Sequence, residues 1–93
     1  GVVSVVGHVI ASGLRALVTE VDSGDLPAAR AEAASQRRIV EAIMGGGQGA
    51  VMAKEALKLM GVLPNATLRL PLVGASSSQI SALAATLRAE GLV

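Results

Sequence analysis

The chain has 93 residues, of which 52% are apolar and 16% charged, and it contains no Phe, Trp or Tyr. A chain of this length forms one domain and buries only about 60–65% of its unfolded surface. Its core must be built from Val, Leu, Ile, Met and Ala, without the rings that usually anchor small cores. Eight basic and seven acidic side chains give a formal charge of +1, which disfavours a general binder of nucleic acid or acidic membranes. The absence of cysteine excludes disulfides, thiolate metal sites and cysteine nucleophiles.

The longest run without a charged residue, Gly1–Leu14, is shorter than the roughly 20 apolar residues that a membrane-spanning helix needs. It also lacks the basic stretch that opens a signal peptide. These features predict a piece of a soluble, cytoplasmic protein that does not form an autonomous unit.

The opening segment Gly1–Gly7 is rich in valine, and its valines occupy both odd and even positions. Both faces of an extended segment would then be apolar, which is typical of a strand covered on both sides in a parallel sheet. The segment predicts a strand that needs neighbours.

The next two segments have helical periodicity. Val9–Val21 carries an apolar stripe at spacings of three and four, after which Ser23-Gly24 ends the helix. Leu26–Met44 follows, with Asp25 as its N-cap and Pro27 in its first turn. The predicted inner residues of the first helix are Ile10, Leu14, Leu17 and Val21, and those of the second are Leu26, Ala29, Ala33, Val40 and Ile43 or Met44.

The second half of the chain predicts two further helices. A third helix extends from about Ala50 to Met60, and Val62–Gly74 is an irregular arm whose Pro71 makes it a poor central strand. Ser76 and Gln79 match a capping box at the start of a last helix, which ends at Gly91. The chain is therefore predicted to be mostly α, with one strand that nothing downstream can pair.

Several residues invite a chemical interpretation. Gly45–Gly49 precedes a helix, but the Lys and Ser or Thr of a phosphate loop do not follow its last glycine, which favours a flexible connection. Lys54 and Lys58 are predicted to be solvated lysines rather than Schiff-base amines, with Glu55 indicating a wet face. His8 stands where the strand ends and a helix begins, a position at which α/β enzymes contact ligands. It is either structural or pocket-lining, and a lone His does not predict a metal site.

Taken in order, four stretches together resemble one family. They are Gly1–His8, Ser23–Arg30, Lys54–Leu57 with Met60-Gly61, and Leu68–Leu72. The chain is similar over essentially its whole length to the carboxyl-terminal third of dihydrodipicolinate synthases. These belong to the pyruvate-dependent class I aldolase and lyase group that also contains N-acetylneuraminate lyase.

The resemblance implies a place for each segment in a (β/α)₈ TIM barrel. Residues 1–22 would be the last strand and helix of the barrel, and residues 23–93 a carboxyl-terminal domain of three helices. The partners that it implies are the upstream part of the same barrel and further subunits of a homotetramer, and no nucleic acid or membrane. The orphan strand agrees with this placement.

The resemblance also implies the chemistry of the parent protein. Family members condense pyruvate with aspartate semialdehyde, in lysine biosynthesis, after pyruvate forms a Schiff base with a lysine on the sixth strand, and no cofactor is expected. That lysine would lie upstream of Gly1, so no catalytic residue is expected in this chain. His8 falls where many members have an asparagine at the mouth of the substrate pocket, and Ser4 is a second candidate from the same strand. The departure from asparagine leaves the aldehyde substrate open.

One alternative from another class remains, an independent helical regulatory or DNA-binding module. The last helix and its Glu-Gly-Leu-Val ending resemble the end of a winged-helix recognition helix, but Arg88 is its one basic residue.

We predict that the chain does not retard double-stranded DNA in a mobility-shift assay at low salt, because its near-neutral charge offers few phosphate contacts. A shift that disappears as salt is raised would instead support the DNA-binding module.

Overall fold

The structure is a computed structural model that describes residues 1–93. It contains four helices, α1 (Gly7–Asp22), α2 (Leu26–Met44), α3 (Gly49–Leu59) and α4 (Ser77–Ala89), and no strand. The four predicted helices are therefore confirmed close to their expected bounds, and the arm between α3 and α4 is irregular as predicted.

The predicted strand at the amino terminus does not form in this chain. Residues 1–4 have no regular structure, and a bend and a turn follow before α1. None of the backbone hydrogen bonds involves residues 1–5, and Val3 is fully exposed. A strand is stabilised by bonds to an adjacent strand, and no other segment of the chain provides one. The expectation of a strand is wrong for the chain by itself.

Helix α1 begins with a short turn and then changes direction. Ile10 has φ −120° and ψ 32°, outside the helical region. Of the predicted stripe, Ile10 is buried, Leu14 and Leu17 are half-buried, and Val21 is 48% exposed. The core therefore covers only the amino-terminal part of the α1 stripe.

The helix ends follow the predicted signals. Gly24 adopts φ +82° after α1, in the region that favours glycine. The carboxylate of Asp25 accepts a hydrogen bond from the Ala28 amide at 3.1 Å. Ser76 and Gln79 form the reciprocal capping box of α4. Local chemistry is enough to set these boundaries.

The buried face of α2 differs from the predicted one. Ala29 is buried as expected, but Leu26, Ala33 and Val40 are exposed. The side chains that α2 buries are Ala29, Gln36, Ile39 and Ile43. Ala29 and Ile43 are thus buried as predicted, whereas Leu26, Ala33 and Val40 face outward and Gln36 and Ile39 take their place on the buried face.

Gln36 is buried where α2 packs against α1. A Cβ built at Gly13 of α1 would lie 2.7 Å from Nε2 of Gln36, so a larger residue there would displace the end of that side chain. The buried amide of Gln36 donates to Oε1 of Glu32 at 2.7 Å, which satisfies one of its donors. A polar side chain that fits a glycine gap is not visible in the apolar periodicity.

The core lies where the first turn of α1, the second half of α2, α3 and α4 meet. Its largest fully buried side chains are Ile43, Met52, Leu83 and Leu87. Only 15 of 93 residues are buried, and the molecule measures 44 × 25 × 22 Å. The hairpin of α1 and α2 thus extends beyond the core, with Val18, Val21 and Leu26 exposed on it. None of the helices has the length and apolar character needed to cross a membrane.

Replacing Ile43 should test the observed face of α2. We predict that Ile43→Ala lowers the free energy of unfolding by about 2–4 kcal/mol, because it leaves a cavity in the core. Val40→Ala on the same helix should change it by less than about 1 kcal/mol, because Val40 is partly exposed. Urea unfolding followed by circular dichroism measures both, and equal losses would contradict the burial of Ile43 and the exposure of Val40 described here.

Candidate functional site

A mostly apolar concave site lies between the amino-terminal segment and α3. Its volume is about 470 Å³ and its wall is mostly apolar. The polar lining side chains are Ser4, His8 and Lys54, and the apolar ones are Val3, Val5, Ala50, Ala53, Leu57 and Leu63. We call this the α3 pocket. A largely apolar cavity of a few hundred Å³ with a few convergent polar groups is typical of small-molecule sites.

The two candidate residues from the sequence lie together in this pocket. The Ser4 hydroxyl oxygen accepts a hydrogen bond from the Gly7 amide at 3.0 Å, and this bond links the segment to the first turn of α1. His8 stands in that turn, and both side chains are exposed. Val6, between them, is buried, so the backbone on either side is held against the core. Their part in binding a substrate stays a prediction.

Lys54 is the residue that sequence reasoning missed. It is exposed, as predicted, but it lines the α3 pocket, and its ammonium donates to the Thr67 carbonyl at 2.7 Å. The Asn65 side chain accepts from the Thr67 amide at 3.1 Å, which shapes this part of the arm. The sequence offered no apolar pocket near Lys54 because the wall comes from distant residues such as Val3 and Val5.

The arm reaches the pocket because it is anchored at the end of α3. The amides of Val62 and Leu63 both donate to the Leu57 carbonyl, at 2.9 and 3.3 Å. Leu57 and Leu63 therefore lie side by side in the pocket wall. The turn at Gly61, with φ +77°, directs the chain back along α3.

Two other charged residues of α3, Lys58 and Glu55, were predicted to be exposed to solvent. Lys58 is exposed and lies outside the pocket lining, as expected for a solvated lysine. Glu55 is only 7% exposed, and its Oε2 atom is buried without a hydrogen-bond partner. The prediction of a wet face at Glu55 is therefore wrong.

The glycine-rich loop is a connection between α2 and α3. A Cβ at Gly46 would collide with the Ala42 carbonyl oxygen, so this position requires glycine. The Gly46 carbonyl accepts from the Gln79 side chain at 3.0 Å, which fastens the loop to α4. The Gln48 side chain accepts from the Val51 amide at 3.0 Å and caps α3. Packing against α2 and α4 accounts for these glycines.

Comparison with known proteins decides between the sequence interpretations. The sequence profile of the dihydrodipicolinate synthetase family matches residues 1–90. The chain belongs to this family. It is 41% identical over all 93 residues to the 4-hydroxy-tetrahydrodipicolinate synthase of Bifidobacterium longum strain NCC 2705, covering 31% of that protein. With the synthase of Kineococcus radiotolerans it is 45% identical over 92 residues, which are 99% of the chain and 30% of that protein.

The chain is also 36% identical over 93 residues to the synthase of Moorella thermoacetica, where it again covers 31% of the relative. It thus spans less than a third of the length of these relatives, and it corresponds to their carboxyl-terminal part. The family resemblance inferred from the sequence is confirmed.

Ser4 should stabilise the wall of the pocket. We predict that Ser4→Ala lowers the free energy of unfolding by about 0.5–1.5 kcal/mol, because the Gly7 amide loses its acceptor. Ser4→Thr keeps the hydroxyl and should change it much less. Chemical denaturation of the two variants checks this. If Ser4→Ala and Ser4→Thr have equal free energies of unfolding, the Ser4–Gly7 bond does not stabilise the pocket wall.

Proposed function

We propose that the chain is the carboxyl-terminal portion of a lyase of the dihydrodipicolinate synthase type. In this proposal it supplies one strand of a TIM barrel, packing helices and subunit contacts, and it has no activity alone. The observation that carries the proposal is the match over the whole chain to under a third of each relative.

The exposed valines of residues 1–5 support the strand assignment. Val2 is 55% exposed, Val3 is fully exposed and Val5 is 41% exposed, while the amides of this segment make no backbone hydrogen bond. Valines at both odd and even positions, in a segment whose amides are free, are what a central parallel strand covered on both faces needs. Neighbouring strands from the upstream part of the barrel would satisfy both requirements.

The hairpin of α1 and α2 exposes apolar side chains that would be buried if other parts of the protein packed against it. Val18 and Val21 of α1 and Leu26, Val40 and Met44 of α2 are all at least 37% exposed. In the proposal residues 1–22 are the last βα unit and residues 23–93 form the helical domain. The α1 residues cover the barrel, and the α2 residues contribute to a homotetramer. The protein functions in the cytoplasm.

The reaction of the parent protein is the condensation of pyruvate with aspartate semialdehyde in lysine biosynthesis, without a cofactor. A lysine upstream of Gly1 forms the Schiff base, and the proton-relaying tyrosines also lie upstream, since this chain has no Tyr. His8 and Ser4 line the mouth of the substrate pocket, where an imidazole N–H and a hydroxyl can each donate to a substrate oxygen.

The independent helical module is the second candidate. It is supported by four helices that pack around one aliphatic cluster without a strand. Against it stands the burial of Leu83, Ala84 and Leu87, which turns the apolar face of α4 into the core, and the single basic residue on that helix. The low burial of the chain as a whole also disfavours an autonomous module.

A chimera tests the proposed function. The matching carboxyl-terminal part of the Kineococcus radiotolerans synthase would be replaced by this chain. We expect the chimera to condense pyruvate with aspartate semialdehyde and the chain alone to show no activity. Val5→Pro should abolish the activity, because proline removes a donor from a central strand, whereas Val5→Thr should retain most of it.

A folded chimera without activity would overturn the proposal, and so would activity of the chain alone. Circular dichroism and size-exclusion chromatography of the chimera establish that it is folded and assembled, so that an inactive result can be interpreted.

A further inference from the structure

The tip of the arm, residues 69–73, exposes apolar side chains to solvent. Leu70 is 91% exposed and Val73 is 81% exposed, and Pro71 between them is exposed as well. Residues 69–73 belong neither to the core cluster nor to the side chains packed against it. Single exposed apolar side chains are ordinary, whereas a contiguous exposed apolar segment marks an interaction site. We call this segment the arm tip.

Hydrogen bonds of the chain hold the arm tip in one place. The Lys54 ammonium on α3 donates to the Thr67 carbonyl at 2.7 Å, just before the tip. Within the tip, the Leu72 amide donates to the Arg69 carbonyl at 3.1 Å and closes a turn. Leu70 is therefore presented on an ordered turn, which lowers the entropy cost of binding a partner.

Arg69 adds a positive charge to the arm tip. Its side chain is exposed, and the ion pair that the structure contains joins two other residues, Arg38 and Glu90. The chain also has no acidic residue between Glu55 and Glu90. A guanidinium can bond a carboxylate through two parallel N–H groups. The arm tip is thus complementary to an apolar groove with a carboxylate at its rim.

The position of the arm tip indicates what covers it. Thr67 is bonded to Lys54, and Lys54 shares the wall of the α3 pocket with Val3 and Val5. In the proposed function the strands that pair with residues 1–5 come from the upstream part of the barrel, so that part reaches this side of α3. Val5 lies near the carboxyl end of the proposed strand, where the loops of a barrel cluster. The chain spans less than a third of its relatives, so most of the longer protein is available for this contact.

We infer that the arm tip docks into an apolar groove with an acidic rim on the upstream part of the same polypeptide, beside the carboxyl ends of the barrel strands. Leu70 and Val73 fill the groove, and Arg69 pairs with the carboxylate. The inference rests on the proposed function, which supplies the upstream barrel. The arm then fastens the helical domain to the barrel.

Hydroxyl-radical footprinting read by mass spectrometry tests the inference in the 93-residue chain and in the chimera. We expect oxidation of Leu70 and Val73 to be at least about fivefold slower in the chimera than in the chain, because docking removes both side chains from water. This protection should persist at protein concentrations at which the subunits dissociate.

Equal oxidation rates in the chain and in the folded chimera would overturn the inference. Protection that disappears when the subunits dissociate would overturn it as well, because another subunit would then cover the arm tip.

Reversal of the charge of Arg69 tests the acidic rim. We expect Arg69→Glu to lower the midpoint of thermal unfolding of the chimera by at least about 3 °C, because two carboxylates would then face each other. Lys58→Glu is the matched control, since Lys58 is an exposed cation of α3 outside the arm tip, and it should lower the midpoint by less than about 1 °C. In the 93-residue chain the two variants should have the same midpoint. Equal midpoints in the chimera would contradict the pairing of Arg69 and with it the proposed groove.

The activity of the chimera separates this inference from the proposed function. If the chimera condenses pyruvate with aspartate semialdehyde but leaves Leu70 unprotected, the inference is wrong and the proposed function stands. If the chimera is folded and inactive while Leu70 is protected, the proposed function is wrong and the docking of the arm tip stands.

Discussion

The burial of Val6 connects the amino-terminal segment to the helical core. Its side chain lies in the aliphatic cluster with Ile43, Met52, Leu83 and Leu87, and its carbonyl accepts from the amides of Val9 and Ile10, at 2.8 and 3.1 Å. This single residue fixes where the amino-terminal segment leaves the core. Ser4 on one side and His8 on the other are thereby placed against α3, and the pocket exists because of that placement.

The rest of the amino-terminal segment has no comparable anchor. Its valines are exposed and its amides unpaired, although the same residues have strong strand propensity. The chain thus combines helices whose backbone is hydrogen-bonded with an amino-terminal segment that makes no backbone hydrogen bond. Membership of a family whose members are about three times as long gives a physical reason, since the missing pairing partners can come from the rest of the longer protein.

Local sequence signals predicted much of the fold. The helices and their caps at Gly24, Asp25 and Ser76 depend on residues within one turn, so their spacing was sufficient. The burial of Gln36 on α2 was missed, because this polar side chain packs beside Gly13 on another helix. The strand was predicted but does not form in the structure, for the opposite reason. Its residues are suited to a sheet, but strand structure depends on a partner that the chain does not contain.

The candidate site was predictable only in part. Ser4 and His8 were found from their position after a valine-rich segment and from the family resemblance. Lys54 was assigned to solvent, since the Thr67 carbonyl that holds it and the valines that face it are 13 or more residues away in sequence. Glu55 was misplaced because a charged residue between two lysines gave no sign of burial. The surroundings of Lys54 and Glu55 depend on contacts between distant segments, and the periodicity of a single sequence does not reveal such contacts.

The central proposal is that residues 1–5 become a sheet strand only when a longer protein supplies neighbouring strands. Hydrogen exchange at the amides of Val2, Val3 and Val5 tests it most directly, measured in the 93-residue chain and in the chimera. We predict exchange close to the unprotected rate in the chain and strong protection in the chimera, where adjacent strands accept these protons. Strong protection in the chain alone, or unprotected amides in a folded chimera, would contradict the account.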